Sequence, residues 1–483
     1  MAEAKVIGNY IGGEWRAPEG GAVSNTNPSN PSDIIGVYTQ ADEAQLQLAL
    51  SAAVEGFGKW RAAGLEKRQA VLTAIGNEMM ARAAELGEMI AREEGKPRAE
   101  GVGEAYRAGQ FFNYFAAEVL RPAGESVDSV REGVEIEVRR EPLGVVAVIS
   151  PWNFPLAAAS WKIAPALAFG NAVIWKPATL TPASAVLLAE IIAKQDIPSG
   201  VFNLLMGGGG TIGSKLAAAK EVDAISFTGS FAAGREVAIA AAGQMTRLQA
   251  EMGSKNPLVV MDDADIETAV QCAAGGAFGG TGQKCTASSR IIVHDKIYKT
   301  FAEKLAEKTK TLRVGDALAE GTEIGPVASA AQLKSNIAYL TLARDEGAVV
   351  LTGGEVLQES GYYMRPALLE GDNTMRINRE EMFAPIACLI RARDYEEALA
   401  IANDSDYGLV AGIITSSLAR SADFRRRAVA GCVMINLPTA GTDYHVPFGG
   451  RKRSSCGPRE QGRAAAEFYT AVKTNYVRGG SPG

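Results

Sequence analysis

Three stretches early in the chain, Asp42 to Phe57, Leu65 to Arg82 and Ala99 to Leu120, repeat apolar residues at three-to-four spacing, which predicts helices. The pattern then changes. From Glu125 to Arg131 and again from Val134 to Arg139, apolar and polar residues alternate, predicting a ribbon solvated on one face. Continuous apolar runs follow at Gly144–Ile149, Ala172–Trp175, Val201–Leu205, Ala224–Phe227 and Leu258–Met261. Such runs suit parallel strands covered on both faces. Helical patterns at Trp161–Phe169, Ala183–Lys194 and Thr211–Ala219 separate the first four, so the expected architecture is a doubly wound α/β sheet. A second α/β stretch runs from Ile266 to about Asn436, with strand signals at Arg290–Val293, Ala348–Leu351 and Ile386–Ile390, and Glu467–Val477 reads as strand again.

Composition narrows the classes. The chain has 483 residues, room for about two to four domains, and 47% hydrophobic with 22% charged residues excludes wholesale disorder. Lys plus Arg is 49 against 55 for Asp plus Glu, a net charge of −6 that argues against a nucleic-acid partner. The longest uncharged run, Pro142 to Trp161, holds three prolines and Asn153, which disqualify it as a membrane span. The start, Met-Ala-Glu-Ala-Lys, lacks a secretory apolar region, so a soluble cytoplasmic protein is expected. Five cysteines without a CxxC pair, and two histidines, His294 and His445, point away from disulfides and from a metal centre.

Gly208, Gly210 and Gly213 satisfy GxGxxG between a strand and a helix, but Asp223 lies only ten residues on and before its strand. A dinucleotide fingerprint needs its acid about 20 residues on, so a plain glycine turn reads better. Cys285 is more informative. Gly282-Gln-Lys-Cys285-Thr-Ala-Ser surrounds it with small and polar residues, unlike the apolar settings of Cys272, Cys388 and Cys432, and Lys284 is placed to favour a thiolate. Glu251 stands just before a strand, and Asn153 sits in a turn at the end of a parallel strand, where ligands bind. A cysteine, a carboxylate and an amide without a histidine suit aldehyde oxidation through a thioester better than hydrolysis.

The motifs carrying these residues are Pro151-Trp-Asn-Phe-Pro155, Lys162, Trp175-Lys-Pro177, Phe227-Thr-Gly-Ser230, Glu251-Met-Gly-Ser-Lys-Asn-Pro257, Gly282-Gln-Lys-Cys285, Glu381-Met-Phe-Ala-Pro385 and Pro447-Phe-Gly-Gly450. Together they resemble the NAD(P)-dependent aldehyde dehydrogenase superfamily over essentially the whole chain. The tail, Pro438 through Gly462, is similar to the branch acting on 2-oxoglutarate semialdehyde. The resemblance implies Cys285 as nucleophile, Asn153 with the Cys285 N–H as oxyanion donors, Glu251 as the base for water, and Lys162 in support of Asn153 and the proton path. It places the cofactor, NAD+ or NADP+ with no catalytic metal, along Ser150, Pro151, Trp152, Lys176, Thr179, Gly209, Gly213, Gly229, Ser230, Glu381 and Phe383. Thr179 stands where many NAD-preferring relatives carry Glu, which implies that NADP+ is accepted too.

By the same resemblance the substrate funnel is lined by Phe154, Ala158, Trp161, Lys284, Thr286 and Phe448. Its aromatic rings suit an apolar or aromatic aldehyde, the leading expectation, while the tail suggests 2-oxoglutarate semialdehyde as the alternative. No arginine lies between Asn153 and Lys162, leaving Lys284 as the nearby cation. The implied fold is a Rossmann-like cofactor domain (1–120 and 142–252), an α/β catalytic domain (253–452) and a small β oligomerisation arm (121–141 and 467–483). Residues 453–466 return to the cofactor domain, and a homodimer or homotetramer is expected. Rival readings are a coenzyme A-dependent relative, a non-catalytic structural protein, and a cysteine hydrolase using His445.

Overall fold

The first four apolar runs become the middle of an eight-stranded sheet in the computed structural model, which describes residues 6–17, 21–121, 124–357 and 360–479, and the fifth, Leu258–Met261, enters a second sheet. The Met-Ala-Glu-Ala-Lys start and the last four residues expected in the arm lie outside the described residues. The sheet order is Ser455–Cys456, Arg247–Glu251, Ala224–Thr228, Val145–Ile149, Ala172–Lys176, Phe202–Leu204, Asn9–Ile11 and Glu14–Arg16. The five inner strands are parallel, and antiparallel neighbours close both edges. From Val145–Ile149 the chain winds one way through Ala172–Lys176 and Phe202–Leu204, then returns to place Ala224–Thr228 on the other side. That reversal opens a crevice beyond the carboxyl ends of Val145–Ile149 and Ala224–Thr228, where an α/β sheet takes its ligand.

A seven-stranded sheet follows from Pro257–Val260 to Cys432–Ile435, parallel except for its Val349–Thr352 edge. A third sheet pairs Thr470–Arg478 and Gly124–Asp128 antiparallel on either side of Val134–Pro142. The alternating pattern predicts one solvated face, but both are open here: all of Gly124–Asp128 is exposed, as are Val472, Tyr476 and Val477.

The structure corrects the sequence expectation in three places. Thr211–Ala219 is no regular helix: Gly209–Gly213 makes a π-type turn that runs into four helical residues, Ser214–Ala217. Consecutive glycines cost too much backbone entropy to hold an ordinary first turn. A helix at Ala83–Glu94 and strands at Ala22–Asn27 and Asn30–Thr39 were not foreseen. Pro28 and Pro31 disguise those strands, since proline donates nothing to a ladder.

Candidate active site

Lys96 and Glu104 build the floor. Both are buried, with Lys96 Nζ 2.7 Å from Glu104 Oε2. Burial alone would drain the lysine of its charge, but Glu104 and Glu94 hold its pKa above the ordinary value. The same ammonium donates to the Asn153 carbonyl at 2.6 Å and lies 4.1 Å from the Phe154 ring centroid. Glu104 Oε1 accepts the N–H groups of Leu156 and Ala157, at the start of helix Ala157–Ala168, where a carboxylate suits the unpaired donors and the dipole. One buried ion pair therefore fixes the Asn153 turn and the helix bearing Ala158, Trp161 and Lys162. Lys96→Met should cost about 3–5 kcal/mol of stability by stranding Glu104, and Lys96→Met/Glu104→Gln should recover most of it in denaturant unfolding. Equal losses in the single and double variants would refute the pairing.

Above this floor is a cleft of about 530 Å³ at the carboxyl ends of the strands. Cys285, Asn153, Phe154, Ala158 and Trp161 line one part of it. Ser150, Pro151, Trp152, Lys176, Thr179 and Gly209 line another, facing Gly229, Ser230, Glu381 and Phe383. Cys285 is half-buried. Asn256 donates to the carbonyls of Cys285, at 2.7 Å, and Ala287, at 3.0 Å, so the loop leading from Glu251 holds the cysteine loop. Asn153 Nδ2 donates one hydrogen to the Gln283 carbonyl at 2.9 Å, leaving its second free for a substrate oxygen.

Desolvation pushes the Cys285 thiol far up, with help from Glu381 and Glu251, so it rests protonated. Lys284 does not relieve this. Its ammonium is 2.9 Å from Glu100, which corrects the expectation that Lys284 lends charge to the thiolate or to the funnel. Thr286 is buried outside the cleft, its carbonyl accepting from Thr439. Phe448 packs beside Cys285 and lies 6.0 Å from the Trp161 ring centroid.

Glu251 and Lys162 sit behind this lining. Glu251 is buried at the end of its strand and accepts from the Ser455 hydroxyl, while its other oxygen has no partner. Burial and then the nearby Glu460 carboxylate raise its pKa well above the usual range. Lys162 pairs with Glu460 and donates to Ser226 Oγ at 3.1 Å. Glu460 lies in the Pro438–Gly462 tail and Asn256 in the Glu251–Pro257 motif, but a lone acid or amide in a loop carries no sequence signal of its partner. Neither histidine completes a hydrolase. His294 accepts from the Lys296 N–H, and His445 is exposed.

The other part of the cleft fits a dinucleotide. Ser230 caps helix Phe231–Gln244, whose N-terminal N–H groups and dipole suit a pyrophosphate. Desolvation brings Lys176 down to about 8, and its ammonium reaches the Pro177 and Gly207 carbonyls. Gly213 packs behind the Lys176 stem rather than in the lining. Glu381 accepts the Ser254 N–H at 2.9 Å, and a side chain at Gly253 would collide with its carboxylate. Trp152 and Phe383 meet edge-on at 5.3 Å across the cleft. Asp223 accepts the Val145 N–H at the amino ends of the strands, opposite the cleft, which disposes of the glycine fingerprint.

Comparison with known proteins agrees with this geometry. The aldehyde dehydrogenase family model matches residues 15–475, and the chain belongs to that family. It is 41% identical to the alpha-ketoglutaric semialdehyde dehydrogenase of Bacillus subtilis over 99% of both chains. It is 39% identical to the alpha-ketoglutarate semialdehyde dehydrogenase of Haloferax volcanii, covering 97% of this chain and 98% of that one. The crystal structure of betaine aldehyde dehydrogenase from Staphylococcus aureus with NAD+ superposes with a TM-score of 0.95 at 32% identity, covering 98% of this chain and 95% of that one. No helix among the described residues is long and apolar enough to cross a membrane.

Proposed function

We propose that the protein oxidises 2-oxoglutarate semialdehyde, or a close semialdehyde acid, to the carboxylate with NAD+ or NADP+. The observation that carries the chemistry is Cys285 facing the cleft with the Asn153 amide beside it and the Glu251 carboxylate buried behind. The full-length relatives named for this substrate support the choice of aldehyde. A second reading, a broad or aromatic aldehyde, rests on Phe154, Trp161 and Phe448.

The dinucleotide, held by Lys176, Ser230 and Glu381, supplies the two-electron acceptor. Cys285 gives up its thiol proton to solvent in the open cleft and Sγ adds to the aldehyde carbon, while the free hydrogen of Asn153 with the Cys285 N–H takes up the developing oxyanion charge. Oxidation leaves a thioester on Sγ. Glu251 takes a proton from water as it attacks the thioester carbonyl, releasing the acid and regenerating the thiol. The Lys162–Glu460 pair is the neighbouring outlet for that proton. A base for water is wasted on an enzyme that hands its acyl group to coenzyme A.

We also assign residues 1–120 and 142–252, joined by 453–466, to the cofactor unit and 253–452 to the catalytic unit. The arm of 121–141 and 467–483 pairs copies in a homo-oligomer, with the enzyme in the cytoplasm. The test measures kcat/KM for 2-oxoglutarate semialdehyde, succinate semialdehyde, benzaldehyde and vanillin with each cofactor. The 2-oxoglutarate compound should lead, and because Thr179 presents a hydroxyl rather than a charge, NADP+ should serve within about tenfold of NAD+. A lead for benzaldehyde would transfer the assignment to the aromatic reading.

A further inference from the structure

A semialdehyde acid needs a cation for its distal carboxylate, and the segment between Asn153 and Lys162 has no arginine. The structure supplies one from a distant part of the chain. Phe448, beside Cys285, is 6.0 Å from Trp161, and Trp161 is 5.7 Å from Phe111 between ring centroids. Phe111 in turn meets Tyr444 at 6.3 Å, and the Arg107 guanidinium lies 5.3 Å from the Tyr444 ring centroid. Arg107 and Phe111 are four residues apart on helix Arg98–Glu118, so they share a face about 6 Å apart along the axis. Arg107 thus stands one turn before Phe111, whose ring packs on Trp161 of the cleft wall.

Its electrostatic state is unusual for this region. Lys284 is neutralised by Glu100, Lys96 by Glu104 and Arg121 by Glu118. No carboxylate pairs with Arg107 among the described residues, and the side chain is only half-buried. The Arg107 guanidinium lies over the Tyr444 ring, and none of its N–H donors has a hydrogen-bond partner among the described residues, which leaves them for the two parallel bonds by which an arginine grips a carboxylate. Tyr444 belongs to the same loop as Phe448, so one loop holds both the ring beside the nucleophile and the ring beneath the cation.

We propose that Arg107, stacked on Tyr444, is the specificity residue that binds the distal carboxylate of the substrate. The proposal rests on the semialdehyde-acid reading above and deepens it. It also reconciles the aromatic funnel with an acidic substrate: the rings pack the methylene chain, and the charge is met beyond them.

The test compares wild type, Arg107→Met and Arg107→Lys on 2-oxoglutarate semialdehyde, succinate semialdehyde and uncharged pentanal. For Arg107→Met the acid-to-pentanal ratio of kcat/KM should fall by about 30-fold or more, chiefly through KM for the acids, with Arg107→Lys between. A ratio that moves less than about threefold would overturn the assignment, because a merely structural arginine damages acid and pentanal turnover alike. If wild type oxidises 2-oxoglutarate semialdehyde well and Arg107→Met does so equally, the substrate reading survives and the Arg107 role falls. If wild type uses succinate semialdehyde alone and Arg107→Met loses it, the carboxylate site survives and the 2-oxoglutarate reading falls. Wild type that oxidises neither acid removes both.

Discussion

Cys285→Ala should lower aldehyde turnover by about 10⁵-fold or more, since nucleophile and oxyanion hole act as a unit and the unit fails without its covalent member. The cofactor's affinity should stay within about threefold, because the Lys176, Ser230 and Glu381 side of the cleft keeps its own contacts. The two readouts, turnover by stopped-flow and cofactor binding by fluorescence titration, separate chemistry from folding. Residual turnover above about 1% would remove Cys285 from the mechanism. The resting thiol also sets a pH trend. Desolvation, Glu381 and Glu251 all favour the protonated form, so the thiolate fraction grows with pH and acylation should quicken from neutral into alkaline solution. Cys285→Ser should not restore the rate, because an alcohol is a weaker nucleophile in the same desolvated place.

The strand runs were legible because parallel strands buried on both faces leave an unbroken apolar signature, as at Val145–Ile149. Fifteen of the cofactor and site positions that the family resemblance implies line one cleft, and the short motifs carrying that resemblance keep their residues contiguous in sequence. What stayed hidden depends on pairing across long sequence distances. Lys96 and Glu104 look like ordinary helix-end charges, yet they meet under Asn153, which is 57 residues from Lys96. Glu460 joins Lys162 across 298 residues. Lys284 looked free because its neighbour in sequence gives no hint of Glu100. The same blindness concealed Arg107, whose partner ring arrives from the far end of the chain.

Glu251→Gln should separate the two halves of the reaction. The amide keeps the shape of the carboxylate and its contact with Ser455 but cannot take a proton from water. A first turnover should still release about one equivalent of reduced cofactor per site, followed by steady turnover slowed about 10³-fold, with the acyl group retained on Cys285 and visible by intact mass. In the wild type, burial and then Glu460 raise the Glu251 pKa well above the usual carboxylate range, so thioester hydrolysis should climb as pH rises through that elevated value. The glutamine variant should lose this limb. Stability moves in the opposite direction. The folded protein holds a proton on Glu251 that the unfolded chain releases, so this stabilisation is complete below the ordinary carboxylate range and fades as pH rises through the folded pKa. A variant that hydrolyses within about tenfold of wild type, or one that shows no first-turnover burst, would place the water-activating step on another group.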